Sequence, residues 1–171
     1  FVSVLEETLS SPAETVAMLR AGADAIVRLL TFPRPVLSVC NGHAYPAGAF
    51  LVMSSDVRFC VDGPWRMGMN EVAIGLTLPY FAIELARHRL TPPGFARLTT
   101  GALFPPDEAR HFGYVDRIVA PSDAEDAVRS EVERLLALDM PSFTATKLRV
   151  NAHAVRAIRD AVDAELKEVA A

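Results

Sequence analysis

The 171-residue chain carries 17 basic and 21 acidic side chains, for a formal charge of −4, and 51% of it is hydrophobic. That balance suits one folded domain with a sizeable core, and it argues against disorder and against any general attraction to nucleic acid. The longest apolar stretch, around Ala47–Met53, falls far short of the ~20 residues a membrane-spanning helix needs.

The chain opens on Phe1 with no basic, apolar or cleavage pattern of a secretory leader, and its two cysteines, Cys40 and Cys60, have no metal-like spacing. Both sit at the ends of apolar runs, where they read as small packed hydrophobes rather than as a metal site or a bonded pair. A reducing, cytoplasmic setting is the expectation.

In chain order, Ser11-Pro12-Ala13-Glu14 has the form of a helix start, with Ser11 as N-cap, Pro12 in the first turn and Glu14 completing a capping box. The helix should bury Val16, Leu19, Ala23, Ile26 and Leu30 and end before Pro33. Residues 36–40 read as a buried strand entering a tight turn at Asn41-Gly42, followed by a small-residue apolar helix over 47–55. A second strand is expected over Val57–Val61. A helix over 79–90 should face inward with Phe81, Ala82 and Leu85 and outward with Glu84, Arg87 and His88. Pro92-Pro93 and Pro105-Pro106 should open two short helices, with Gly101 and Gly113 at their ends. A third strand follows over 115–119. Amphipathic helices are expected over 122–138 and 142–169, the second broken near Asn151.

Strands this apolar, alternating with helices, give an α/β class with a buried, largely parallel sheet. The expected organisation is a single domain over 1–171, with a core portion over 1–120 and a C-terminal helical region over 121–171.

The segment Pro35-Val-Leu-Ser-Val-Cys-Asn-Gly-His-Ala-Tyr-Pro-Ala-Gly-Ala-Phe50 is a strand, a turn and a helix beginning with small residues. Such a junction either packs tightly or aims free N–H groups at an oxygen gaining negative charge. Further on come Met67-Gly68-Met69-Asn70-Glu71-Val72-Ala73-Ile74-Gly75-Leu76 and Gly113-Tyr114-Val115-Asp116-Arg117-Ile118-Val119. Together, in this order and spacing, the three segments resemble the signatures of the enoyl-CoA hydratase/isomerase (crotonase) family.

The resemblance implies a ClpP/crotonase-like spiral of β-β-α units with C-terminal helices, here with its N-terminal strands apparently missing. A stable preparation is then expected to contain more upstream sequence, since an open sheet edge exposes apolar surface. It also implies acyl-CoA thioester substrates, with coenzyme A as part of the substrate and no separate cofactor, and a homotrimer or dimer of trimers. One oxyanion donor would be the backbone N–H of Ala47, next to Pro46 where the family usually has glycine; the other would lie at or before Phe1. Of the two glutamates that hydratases use, the later matches Glu71 and the earlier falls on Phe50, which cannot transfer a proton. A single glutamate suits double-bond isomerisation, or weak hydration, better than efficient hydration. The alternatives are a catalytically silent acyl-CoA-binding or scaffold homologue and, more remotely, a serine peptidase on a related spiral, for which the turn offers no serine.

The remaining candidates for substrate contact are His43 in the turn, Trp65, Leu76 in an apolar stretch after Glu71, and Lys147 towards a coenzyme A phosphate. Each has a plainer reading: a backbone-bonded turn histidine, core packing for the apolar residues, and a solvated helix lysine. His88, His111 and His153 read as solvated. No histidine spacing or carboxylate cluster supports a metal.

Overall fold

The computed structural model describes residues 12–169. Helix α1 (Pro12–Thr31) comes first, so the Ser11 cap expected from sequence lies outside the described residues. Three short strands follow, β1 (Leu37–Cys40), β2 (Val57–Val61) and β3 (Arg117–Val119), forming one parallel sheet in the order β1-β2-β3. Parallel neighbours need crossover connections, and the helices supply them. Helix α2 (Ala47–Met53) links β1 to β2; α3 (Tyr80–Arg89), α4 (Pro92–Ala96) and α5 (Pro106–Phe112) stand between β2 and β3. The long helices α6 (Ala124–Leu136) and α7 (Met140–Val169) close the chain.

Local chemistry accounts for the boundaries. Two prolines open α4, and the Thr91 hydroxyl caps it by accepting from the Gly94 N–H. Helix α5 begins at Pro106 and stops at Gly113, whose φ of 91° needs a residue without a Cβ. A Cβ there would also lie 2.9 Å from the Arg89 carbonyl oxygen, so the glycine lets α5 end hard against α3.

Helix α7 packs along both α1 and α3, and its inward residues Val155, Ile158 and Val162 join Ile26 and Leu30 of α1 in the core. The break expected near Asn151 does not occur: α7 runs unbroken through that position. Asparagine weakens a helix when its side chain competes for the local backbone. Here the Asn151 side chain is engaged elsewhere, with Nδ2 donating to the Leu30 carbonyl (2.8 Å) and Oδ1 bonded to His88 Nε2 (2.9 Å). His88 is therefore a half-buried link between α3 and α7 and not the solvated residue expected; His111 and His153 are exposed.

Lys147 differs from expectation in a similar way. Its side chain is 3% exposed, and Nζ bonds Asp56 Oδ2 at 2.5 Å and reaches the Arg34 carbonyl at 3.4 Å. Asp56 also accepts from the Val36 N–H at 2.8 Å, while its own N–H donates to the Val36 carbonyl at 2.8 Å. The ammonium thus anchors α7 to the entry of β1 and β2, which corrects its reading as a solvated lysine.

Candidate functional site

The site is built on the turn that leaves β1. Ala44 donates its N–H to the Arg66 carbonyl (3.0 Å) and accepts from the Gly68 N–H (3.2 Å), so residues 41–46 are stitched to the segment after β2. Met67 continues the pairing to Phe104 through bonds of 3.0 and 2.9 Å. Gly68 is required by close approach, since a Cβ there would meet the Ala102 carbonyl oxygen at 2.6 Å. Ala47 and Glu71 each lie three residues beyond the Ala44–Gly68 bond, one at the start of α2 and the other at the head of a 3-10 turn (Val72–Ile74). As the first residue of α2, Ala47 has an N–H with no acceptor among the described residues.

Glu71 is 4% exposed, and its Oε2 has no hydrogen-bond partner among the described residues. Burial holds its carboxyl above the ordinary carboxylate range, because the charged form loses hydration that the protein does not replace; its own backbone N–H offsets this in part. A carboxyl in this state binds a proton more readily than an exposed one, and it can exchange that proton with a bound carbon acid.

Tyr114, which sequence reasoning quoted only as part of a motif, is also fully buried and lies close enough to feel the Glu71 charge. Its phenol is raised first by burial and then by that charge, so it stays neutral beside the carboxylate. A phenol among the aliphatic residues of the third strand region was the available signal.

Phe50, in α2, is half-buried and meets Phe81 of α3 edge-on at 6.1 Å, giving its side of α2 an aromatic wall where a second carboxyl was sought. Leu76 donates its N–H to the Glu71 carbonyl (2.9 Å) and lines an apolar cleft of about 460 Å³ with Val72, Leu78, Ile83, Phe95 and Leu98.

The other two predicted residues form a group at the outer side of the turn. His43 Nδ1 accepts from the Arg66 N–H (3.0 Å), and its exposed ring meets Tyr45 and Trp65 edge-on at 5.6 and 6.0 Å. Because Nδ1 is an acceptor, the neutral ring carries its proton on Nε2. Trp65 Nε1 donates to the Val61 carbonyl (3.0 Å) and braces the Gly63 turn. Both residues hold backbone together. Lys147 belongs to the distant Asp56 contact described above. The described residues contain no cluster of three or more metal-ligating side chains, and no helix among them is long and apolar enough to cross a membrane.

Comparison with known proteins places this geometry in context. A solved enoyl-CoA hydratase/isomerase family protein from Pseudomonas syringae superposes with a TM-score of 0.92 at 31% identity, covering 96% of this chain and 72% of that one. Human mitochondrial enoyl-CoA delta isomerase 1 is 27% identical over 139 residues, 80% of this chain and 46% of that protein. The crotonyl-CoA hydratase of Syntrophomonas wolfei is 30% identical over 120 residues, 69% of this chain and 45% of that protein. The chain spans about half the length of the curated relatives it matches. The enoyl-CoA hydratase/isomerase family model matches residues 5–170. The parallel sheet, the stitched turn and the buried glutamate thus belong to a crotonase fold, and the chain is a member of the enoyl-CoA hydratase/isomerase family.

Proposed function

We propose that the protein moves the double bond of a 3-enoyl-CoA thioester, with Glu71 as its single acid/base. The observation that carries the reading is the buried Glu71 carboxyl, one oxygen of which has no hydrogen-bond partner among the described residues. Glu71 takes a proton from the carbon next to the thioester carbonyl, and negative charge moves onto the carbonyl oxygen. The Ala47 N–H stabilises that oxygen, consistent with its place as the first residue of α2. The conjugated enolate then recovers the proton from Glu71 two carbons further along, so one carboxyl completes both transfers. Hydration would require a second group to activate water, and Phe50 can neither donate nor accept a proton.

The apolar cleft beside Leu76 suits the hydrocarbon part of the acyl group. Coenzyme A enters as part of the substrate, and no further cofactor is required by this chemistry. Assembly into trimers accords with exposed Leu136 and Val150 on α6 and α7. Sedimentation should give three chains per particle, and a stable monomer would oppose that assembly.

The test presents a 3-enoyl-CoA and, separately, a 2-enoyl-CoA to wild type and Glu71→Ala. Conversion of the 3-enoyl substrate, falling by about 10²–10⁴ in Glu71→Ala, is expected. Efficient hydration of the 2-enoyl substrate would overturn the isomerase reading. Thioester binding without turnover of either substrate would favour a catalytically silent binding protein.

A further inference from the structure

Cys40 and Cys60 face each other across the first two strands. They are register partners in the parallel β1–β2 pair, so both side chains project from the same face of the sheet. Neighbouring strands run about 4.7–4.9 Å apart, inside the Cα separation of about 4.4–6.8 Å that a disulfide spans. Both are free thiols in the core, Cys40 at 7% exposure and Cys60 at 1%. Cys40 occupies the last position of β1, where the chain turns towards Ala47. Its Sγ–H donates to the Gly42 carbonyl at 3.1 Å, so the reduced thiol helps hold that turn.

We propose that Cys40 and Cys60 are an oxidisable dithiol at the root of this turn. An intramolecular disulfide between them frees the Gly42 carbonyl and loosens residues 41–48. Contact between the two side chains lowers the Cys40 thiol, against the opposing effect of burial, and with burial raises that of Cys60; Cys40 is therefore the attacking sulfur.

With a small-molecule disulfide as oxidant, the Cys40 thiolate attacks one of its sulfurs and expels the other as a thiolate. The expelled thiolate takes up the Cys60 proton. Cys60 then attacks the Cys40 sulfur of the mixed disulfide and releases the second small thiolate, which is protonated by solvent. Two protein thiols are oxidised, and the small disulfide is reduced to two thiols. The pair stands on strand register and burial alone; its consequence for Ala47 rests on the reading of the site given above.

The test treats the whole reduced protein with oxidised glutathione, caps free thiols with a maleimide, and maps the products by non-reducing mass spectrometry with hydrogen exchange in parallel. The expected product is a Cys40–Cys60 linked peptide within one chain, reversed by dithiothreitol. Amide exchange across residues 41–48 should rise roughly fivefold, the effect of losing one hydrogen bond. Cys60→Ser should stop at a glutathione adduct on Cys40. Free thiols in the folded protein after oxidant, linkage only between chains, or a linked pair with unchanged exchange would each overturn the proposal. None of these readouts requires turnover, so they remain decisive if Glu71 proves not to act on an enoyl thioester.

Discussion

The proposed chemistry concentrates in one residue held in an unfavourable place. Glu71 keeps a buried oxygen without a partner among the described residues, and burial raises its carboxyl above the ordinary value of 4.5. The folded state therefore binds this proton more tightly than the unfolded state does. The stability contribution is complete below 4.5 and is lost as pH rises through the higher, folded value. Glu71→Gln removes the titration while keeping the shape. Thermal melts should show the variant gaining on wild type from acid towards neutral pH; an equal difference at every pH would mean that Glu71 is not held in this way. Phe50 packs edge-on against Phe81, and a side chain of this kind can take no part in proton transfer.

Among the elements, α7 does the most to hold the site's scaffold. Its Lys147 pairs with Asp56 almost out of water, and Asp56 in turn clips Val36 at the entry to β1. Removing one partner of a buried pair strands the other charge and costs about 3–5 kcal/mol. Lys147→Met should therefore lower stability by about that amount in denaturant titration. A loss under about 1 kcal/mol, as for an exposed pair, would contradict the burial assigned to it. Asn151, one turn further on, joins α1 and α3 through Leu30 and His88. Both residues explain why sequence periodicity misread this helix. A polar side chain in a long amphipathic segment reads as a break or a solvated face, because its tertiary partners lie 63 to 121 positions away. Local signals fared better where the cause was local: the proline pairs opening α4 and α5 and the glycine ending α5 stand where sequence put them.

For the whole molecule, the parallel class was legible because strands 57–61 and 36–40 are mostly apolar and alternate with helices. The family was legible because three weak motifs share one order and spacing. The tie between the turn before Ala47 and the segment before Glu71 was less so. It depends on the Ala44–Gly68 bond and on a glycine pressed against the Ala102 carbonyl, pairings that no local pattern announces. The same limit hid the influence of Glu71 on Tyr114 and the place of Cys60 opposite Cys40. The proposed turnover would draw on the stitched turn, the buried carboxyl and the apolar cleft together. The most direct measurement is the pH dependence of kcat/KM for a 3-enoyl-CoA. A single acid-side ionisation lying above the ordinary carboxylate value of 4.5 is expected, with activity lost as pH falls through it because Glu71 becomes protonated before it can act as base. An acid limb at or below that value, or the same limb persisting at full rate in Glu71→Gln, would contradict it.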